Sequence, residues 1–442
     1  MKKSLVILSL LASANAFAGS IDYLAQQDAE YFAHPAMIGK VGVSGAYYNP
    51  AGTAFLEDGL YVQLNSQTLF KTYEMDTKEN FGGLSHESDH PSAFVPSIQI
   101  VKKEGDRSYF LHAGAAAGGG AVKYENGISA FEVIGESIED SFGLFTQGNA
   151  TVDYLGGSTV NGSSYYINTT FGMAQKINSK FSVAGGLRFM YAMRELNGTA
   201  NYNLSIPVGS NLGMTDTSDS VRVDIDSERT GWGVGGVIGF HYQPTEKLNI
   251  GFKYETEVEL DFEAKNGKNG LKTTATNPSV EGMIDGALRK ELVIREWLVD
   301  GNRNFPAMMA LGISYDMTDR LTLLASGNYY FIEQANEDHA YDNYTNGYEA
   351  SIGFDYKLNE KYTLMAGYQY TNTGSNEGTY KDTDYALDAH MYCVGMSYSP
   401  NETRKYTLSY GFVDYQDGTS SATGTTFEKT VHTIGMSAEF KL

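Results

Sequence analysis

Three basic residues are placed to bind an anion. Arg188, Arg194 and Lys253 occur in segments where polar and apolar residues alternate, and the alternation puts all three on the polar face. A guanidinium group binds a carboxylate through two parallel hydrogen bonds, strongly where water is excluded. Arg188 is therefore the first candidate to hold an acidic ligand. The alternative is ion pairing with nearby acids, namely Glu255, Glu257 and Glu259.

The sequence offers no pattern typical of catalysis. It lacks a Gly-x-Ser-x-Gly string and a histidine pair at zinc-ligand spacing, so we expect neither an enzyme, nor a metal site, nor a cofactor. The formal net charge of −21 argues against nucleic-acid binding, which needs a basic face. Solvated loops are the simplest source of this acidity, and cation binding at those loops is the alternative. The single cysteine, Cys393, excludes an intrachain disulfide.

The segments that carry these residues are predicted to be β-strands. Between Thr433 and Leu442 every even-numbered residue is apolar or small, and every odd-numbered residue is small or polar. Because successive side chains of a strand point to opposite faces, one face suits an apolar environment and the other suits water. Such strands fit either a soluble β-sandwich or an outer-membrane barrel whose apolar face meets lipid.

The start of the chain favours export and hence the barrel. Residues 1–18 have the pattern of a signal peptide: Lys2 and Lys3, an apolar core at Leu5–Leu11, and a small-residue cleavage site at Ala16–Ala18. No later segment has about 18 uninterrupted apolar residues, so we expect no transmembrane helix. The 32 tyrosines and 49 glycines also suit a barrel, with Tyr at the membrane interfaces and Gly at kinks and in the lumen.

Turns and loops set the predicted number of strands. Short turn-forming strings fall near residues 103–106, 178–179, 244–247, 318–320, 359–360 and 400–402. Long polar stretches cover residues 74–91, 121–162, 197–229, 265–304, 336–346, 374–386 and 418–428. Six short turns that alternate with seven long loops predict an all-β fold, a 14-stranded antiparallel transmembrane barrel over residues 60–442.

Residues 19–59 do not share the alternation. They mix polar and apolar residues and are broken repeatedly by glycine and proline, at Gly39, Gly42, Gly45, Pro50, Gly52 and Gly59. The lumen of a barrel with about fourteen strands is wide enough to need filling. We therefore predict that residues 19–59 form an N-terminal hatch, or plug, inside the lumen.

One string in this N-terminal segment resembles a known family. Asn49, Pro50, Ala51 and Gly52 lie directly before the first predicted strand, where an isolated Asn-Pro pair would simply make a turn. In this position the string resembles the hatch motif of the FadL/OmpP1/TodX family of outer-membrane transporters for hydrophobic molecules. Three further strings resemble that family: Gly231–Gly235, Ile250–Tyr254 and Phe305–Ala307. The resemblance covers nearly all of the mature chain and implies a hatch followed by fourteen strands, although Gly39–Gly45 departs from the family pattern.

A glycine run, Gly114–Gly120, interrupts the third predicted strand. Glycine weakens a strand and permits a sharp bend, and the run lacks the Lys-Ser/Thr that a phosphate-binding loop requires. Close packing inside the barrel is one explanation. The resemblance implies another, a kink that opens the wall sideways and lets an apolar ligand leave into the membrane. The candidate gate residues are Gly114, Gly118, Gly119 and Gly120.

Two amphipathic helices are predicted within the long loops. Ser129–Glu132 has a capping-box pattern, and apolar residues recur from there at helical spacing. Asn277 and Pro278 fit an N-cap followed by proline at the first helical position. The helices either pack on the other loops or form an exposed apolar groove that first captures a ligand. The groove residues would include Phe131, Phe142, Ile284 and Leu288.

The combined expectation is a passive outer-membrane transporter with loop capture, a lumen pocket and lateral release through a kinked strand. The resemblance implies a hydrophobic small molecule, first a long-chain fatty acid and second an aromatic hydrocarbon. A surface barrel acting as adhesin or phage receptor, and a general porin, are the alternatives. The expected partners besides the ligand are outer-membrane lipids and the barrel-assembly machinery, and we expect a monomer.

Overall fold

A computed structural model describes most of the 442-residue chain. The described residues are 28–78, 83–118, 121–132, 135, 139, 151–206, 217–289, 300–336, 341–382 and 384–442. The predicted leader and residues 19–27 of the predicted hatch lie outside this set.

Fourteen strands form the wall of the barrel, and we number them in chain order. They are β1 Gly59–Asp76, β2 Ser92–Glu104, β3 Arg107–Ala117, β4 Val160–Asn178, β5 Phe181–Ile206, β6 Thr217–Thr245, β7 Leu248–Glu255, β8 Ala307–Asp316, β9 Leu321–Phe331, β10 Gly347–Lys357, β11 Tyr362–Asn372, β12 Ala389–Asn401, β13 Arg404–Tyr415 and β14 Thr426–Lys441. Every neighbouring pair is antiparallel, and β14 pairs with β1 over its whole length to close the ring. The predicted strand number and all six predicted turns are confirmed.

Short elements lie between the wall strands. Six additional strands span Ser85–Ser88, Val122–Tyr124, Thr151–Tyr154, Asp261–Thr274, Gly301–Asn302 and Gly418–Thr419. The α-helices with complete bounds are α1 Gly45–Tyr48 and α2 Pro278–Leu288, and 3-10 helices span Pro50–Phe55 and Glu333–Ala335. No helix in the described part of the chain is long and apolar enough to cross a membrane.

The prediction of a loop over residues 197–229 was wrong. Strand β5 continues to Ile206 and β6 begins at Thr217, so the two strands project together beyond the shorter part of the wall. Asp261–Thr274, which was predicted mostly as loop, pairs with this extension of β6. The polar composition of this extension made its strand alternation hard to recognise from the sequence. In the structure Val221 and Val223 are buried and the intervening Arg222 is exposed.

The two faces of the wall differ as the alternation predicts. On β5, the side chains of Leu187 and Phe189 are 49% and 42% exposed, whereas Arg188 between them is 0% exposed. The other wall strands repeat this pattern, with large apolar side chains outside and Gln, Asn, Ser, Thr and charged residues inside. An apolar exterior of this kind matches lipid, and a polar interior matches a lumen.

Residues 28–58, here called the plug, lie inside the ring. They contact the inner face of the wall at glycines on successive strands, because only glycine leaves room for another backbone at that distance. A Cβ on Gly251 of β7 would overlap the carbonyl oxygen of Ile38. A Cβ on Gly395 of β12 would likewise overlap Ala33 of the plug.

Ion pairs between buried and partly buried side chains fix the plug to the wall. The Lys40 Nζ lies 2.9 Å from an Asp355 carboxylate oxygen, and the His34 Nε2 lies 2.9 Å from the other oxygen. Glu30 of the plug pairs with Lys405 of β13 and also with Lys40 at 3.4 Å. Separating such a pair leaves Glu30, which is buried, without its cations, so these contacts oppose displacement of the plug.

We predict that Gly251→Val displaces the plug and raises the ionic conductance of the barrel in planar bilayers. The added side chain would overlap the plug backbone at Ile38, whereas Gly185 of β5 is exposed and a Cβ added there would meet no heavy atom within 4 Å. Gly185→Val is therefore the matched control. Equal conductance of the two folded variants would contradict this account of the plug.

Candidate ligand path through the barrel

The predicted cations Arg188 and Lys253 meet at one acid inside the lumen. Arg188 Nη1 lies 3.2 Å from one carboxylate oxygen of Glu255, and Lys253 Nζ lies 3.0 Å from the other. All three side chains are buried, with exposures of 0%, 0% and 2%. Ion pairing with Glu255, one of the two explanations open from the sequence, is thus present.

This charged cluster also contacts the plug. Lys253 Nζ donates a hydrogen bond to the carbonyl oxygen of Tyr47 at 2.9 Å and lies 4.0 Å from the centre of the Tyr47 ring. The Tyr47 ring in turn packs on the imidazole of His112, with 4.7 Å between the ring centres. The wall cations and the plug therefore share one set of contacts.

Arg188 retains capacity for a further anion. Its Nε and Nη2 atoms are buried and have no hydrogen-bond partner among the described residues. Its Cζ lies 5.1 Å from the centre of the Phe305 ring, so an apolar surface adjoins the free donors. A carboxylate attached to an apolar chain matches both features.

Arg194 does not join this cluster. It is buried on the same strand, β5, but stands six residues along from Arg188. At the rise of a β-strand, six residues separate their Cα atoms by about 20 Å. The structure therefore brings together two of the three predicted cations.

The Asn49–Gly52 motif anchors the plug to the wall. The Asn49 Oδ1 accepts a hydrogen bond from the Gly52 backbone N–H at 3.0 Å and caps the 3-10 helix that begins at Pro50. Asn49 Nδ2 lies 2.9 Å from His241 Nδ1 on β6, and Ser182 Oγ of β5 donates to the Ala51 carbonyl at 2.7 Å. The motif is both a turn and a point of attachment.

The ladder between β2 and β3 is interrupted. Regular pairing of the two strands runs from Glu104–Arg107 to Ile98–Ala113 and ends there. Residues Ser92–Ser97 of β2 continue to pair on their other side with β1. We call the place between Ser92–Ser97 and residues 114–117 of β3 the window.

Both sides of the window carry residues that disfavour regular pairing. Gly118 has φ +108°, so the backbone leaves the regular strand conformation there. A Cβ at this position would overlap the carbonyl oxygen of Ser164, and the residue must therefore be glycine. Gly114 remains paired with Asn168, which places the irregularity after it, and Gly119 and Gly120 lie outside the described residues. Across the window, Pro96 lacks an N–H and is typical of an edge strand. Pro96 is visible in the sequence as a sign of a strand edge, but only the glycine run was recognised there.

The loop residues predicted to line an exposed groove are buried. Phe131, Ile284 and Leu288 are at most 1% exposed and belong to one apolar cluster with Tyr202, Leu204 and other loop and strand-end residues. The Tyr202 hydroxyl donates to the Phe131 carbonyl oxygen at 2.9 Å. These three side chains form an internal core of the loops rather than an open surface. Phe142 lies outside the described residues.

The capping box predicted at Ser129–Glu132 is replaced by contacts with other loops. Ser129 Oγ donates to the Asp382 carboxylate at 2.5 Å, and the Ala130 N–H donates to the same oxygen. Glu132 instead accepts from Thr77 Oγ1 at 2.8 Å and contacts His86 Nε2 at 2.7 Å. Burial raises the pKa of the Asp382 carboxyl, although both hydrogen bonds favour its charged form. The N-cap predicted at Asn277 is confirmed, because its Oδ1 accepts the Ser279 N–H at 2.9 Å.

Comparisons with known proteins agree with this geometry. A family model described as outer membrane protein transport protein (OMPP1/FadL/TodX) matches residues 5–440. Outer membrane protein P1 of Haemophilus influenzae is 24% identical over 362 residues, which cover 75% of this chain and 68% of that relative.

Solved structures support the same fold. A FadL homologue from Pseudomonas aeruginosa aligns with a TM-score of 0.68 and 16% identity, covering 96% of this chain and 99% of the homologue. The toluene transporter TodX of P. putida aligns with a TM-score of 0.59 and 15% identity, covering 91% of this chain and 95% of TodX.

We predict that Phe131→Ala loosens the long loops and leaves the barrel intact. Removing a buried phenylalanine ring costs about 3–5 kcal/mol, here from the loop cluster alone. Limited proteolysis should therefore cut the loops faster, while heat-modifiable migration of the barrel on a gel stays unchanged. A variant that resists protease like the wild type and loses only ligand affinity would instead assign Phe131 to a ligand-binding groove.

Proposed function

Because the chain belongs to the OMPP1/FadL/TodX family of outer-membrane transport proteins, we propose that it takes up long-chain fatty acids by passive transport. The family places the chain in the outer membrane, as a transporter of hydrophobic compounds and not as an enzyme. The choice of a fatty acid rests on one observation, the buried Arg188 with two unpartnered donor atoms beside the Phe305 ring.

The proposed path begins at the loops and passes into the lumen. The carboxylate head group binds Arg188, and its alkyl chain lies along the apolar side chains next to Phe305. Binding there uses Nε and Nη2 and puts a second carboxylate on Arg188 beside that of Glu255, and Glu255 is linked through Lys253 to the carbonyl oxygen of Tyr47 in the plug. Arrival of ligand thereby alters a contact between wall and plug.

Exit through the window is the proposed last step. An apolar molecule that leaves sideways enters the membrane directly and avoids the cost of exposing its chain to periplasmic water. The end of β2–β3 pairing, Pro96 and the positive φ of Gly118 support this route. The plug inside the ring argues against an open porin for hydrophilic solutes.

Aromatic hydrocarbons are the second candidate ligands. Two of the structures similar to this chain are toluene transporters, TodX and TbuX of Ralstonia pickettii. Uncharged hydrocarbons have no group that uses the Arg188 donors, so the two ligand classes respond differently to a change at this residue.

We predict that Arg188→Met lowers the affinity for oleate by about tenfold or more, because one charge-assisted hydrogen-bond pair is lost. Calorimetric titration of the full-length barrel in detergent measures oleate and toluene in parallel, and toluene binding should be unchanged where it occurs. The double variant Arg188→Met/Glu255→Gln keeps the local charge balanced and should show the same loss.

The matched control is Arg320→Met, an exposed arginine in the turn between β8 and β9. An oleate affinity that stays at the wild-type value in the folded Arg188→Met barrel would remove Arg188 from the site. Tight toluene binding without oleate binding to the wild type would favour the second candidate.

We predict that a disulfide across the window blocks uptake reversibly. Ser97→Cys and Gly114→Cys, in a Cys393→Ser background, place thiols directly beyond the last regular pair Ile98–Ala113. Oxidation should reduce oleate uptake by cells to the background of cells that lack the protein, and reduction should restore it. A pair at Lys102 and Tyr109, which already face each other in the ladder, is the control and should have no effect. Undiminished uptake with the window disulfide formed would rule out lateral exit.

A further inference from the structure

One segment between two wall strands is buried although it lies in a loop. Residues 373–382 and 384–388, here called the crossing segment, lie between β11 and β12. Within it, residues 384–387 are each at most 5% exposed. Loops normally run over the surface, so four buried residues in succession show that other parts of the protein cover this segment. Tyr385 belongs to the same apolar cluster as Tyr47 of the plug. The crossing segment therefore lies over the lumen.

The crossing segment reaches loops on other sides of the ring. Asp382 contacts Ser129 and Ala130, in the loop that follows β3. Asp384 contacts Arg303, in the loop that precedes β8. Counted through β12, β13, β14, β1 and β2, β3 is the sixth strand from β11, so the two lie almost opposite each other in a ring of fourteen. In the other direction β8 is the third strand from β11. The two aspartates thus join loops from three sides of the barrel mouth.

Both contacts are made by buried carboxylates. One Asp382 oxygen accepts the Ser129 hydroxyl at 2.5 Å and also accepts the Ala130 N–H. Asp384 forms an ion pair with the Arg303 guanidinium, and these two side chains are 7% and 5% exposed. Hydrogen bonds with an ionised partner are roughly twice as strong as neutral ones. The contacts that cross the mouth are therefore strong and shielded from water.

Other contacts attach the crossing segment to the hairpins beside it. Asn376 Nδ2 donates to the carbonyl oxygen of Asn343, in the loop between β9 and β10, at 2.7 Å. In the loop between β13 and β14, the Ser421 N–H donates to the Glu377 carbonyl oxygen at 2.7 Å. The crossing segment and these two loops can move as one unit, whereas the two aspartates join this unit to the far side of the ring.

The Asp384 contact adjoins the proposed head-group site. Arg303 precedes Phe305 by two residues, and the centre of the Phe305 ring lies 5.1 Å from Arg188 Cζ. The Arg303 N–H donates to the Leu260 carbonyl oxygen and the Phe305 N–H to that of Val258, each at 2.9 Å. One short paired segment thus carries both the partner of Asp384 and the ring beside Arg188.

We propose that Asp382 and Asp384 form a latch that closes the mouth of the barrel, and that opening of this latch limits the rate of ligand entry. The proposal rests on the proposed function, because it concerns the first step of the path to Arg188. The hydroxyls of Tyr124 and Tyr385, 3.3 Å apart, are an uncharged contact to the same far side that opens with the latch. Charged and uncharged ligands pass the same opening, so the latch controls the rate and Arg188 the choice of ligand.

Hydrogen exchange measures the latch directly, in the full-length barrel in detergent. Asp382→Asn/Asp384→Asn keeps the size of both side chains and removes their charge. Exchange of the Ala130 amide and of residues 384–387 should become about tenfold faster or more, because weaker contacts raise the fraction of time that these buried amides are open.

The matched control is Asp388→Asn. Its carboxylate bonds Asn372 Nδ2 at 2.8 Å and the Thr373 N–H at 2.9 Å, both next to it at the ends of β11 and β12. This aspartate lies in the crossing segment but holds its own hairpin, so the Ala130 amide should exchange at the wild-type rate.

Uptake by cells measures entry. Initial rates for oleate and toluene are compared between wild type and Asp382→Asn/Asp384→Asn. Both rates should rise together by about threefold or more, because a larger open fraction admits either ligand. Arg188→Met, in contrast, acts on oleate alone.

The outcomes separate this inference from the proposed function. Faster exchange with unchanged or slower uptake of both ligands would overturn the latch as the control of entry and leave the proposed function standing. Ala130 exchange equal to that of Asp388→Asn, in a folded double variant, would show that the carboxylates do not hold the loops closed, which also overturns it. Wild-type cells that take up neither ligand above background would contradict the proposed function itself, and with it any role in entry. If the double variant does not fold, Ser129→Ala decides, since it removes one donor to Asp382 and must accelerate both exchange and uptake.

Discussion

Backbone hydrogen bonding is the constraint on which the rest of the structure depends. In lipid each N–H and C=O must find a partner within the protein, so a spanning sheet has to close on itself. Here β14 meets β1 along Tyr61–Asp76, and the ring is complete. The break in β2–β3 pairing is tolerated because nearby side chains form hydrogen bonds with backbone groups in place of a neighbouring strand. Lys71 bonds the Ala121 carbonyl, and Ser88 Oγ accepts the Lys123 N–H at 2.9 Å.

The polar inner face makes one charge network serve two purposes. Glu255 holds Arg188 and Lys253 at positions where each also reaches something else, an apolar ring or the plug. A buried ion pair is seldom a strong source of stability, because desolvation offsets much of its attraction. Its role here is to position two cations: Glu255 holds Arg188, which has donors left for an incoming carboxylate, and Lys253, which contacts the plug.

The sequence predicted the wall well because alternation and turn chemistry are local properties. Ion pairing of Arg188 with Glu255 was one of the two explanations open from the sequence for the same reason, as both residues lie on the polar face of their strands. The prediction failed at contacts between segments that are far apart in the sequence. Ser129 bonds Asp382 instead of capping its own helix with Glu132, and Lys429 meets Tyr73 only because the last strand pairs with the first. Pro96 was a local signal that was overlooked.

The position of the plug has a consequence for the order of assembly. Plug residues Ala29 and Phe32 press against Gly435 and Gly411, which belong to the last two strands of the chain. Once β14 has joined β1, the fourteen strands enclose the plug on every side. The contacts of Ala29 and Phe32 can form only when β13 and β14 are in place, because those strands supply the surface on which the two residues pack. Closure of the barrel and completion of the plug's packing are therefore linked steps of assembly.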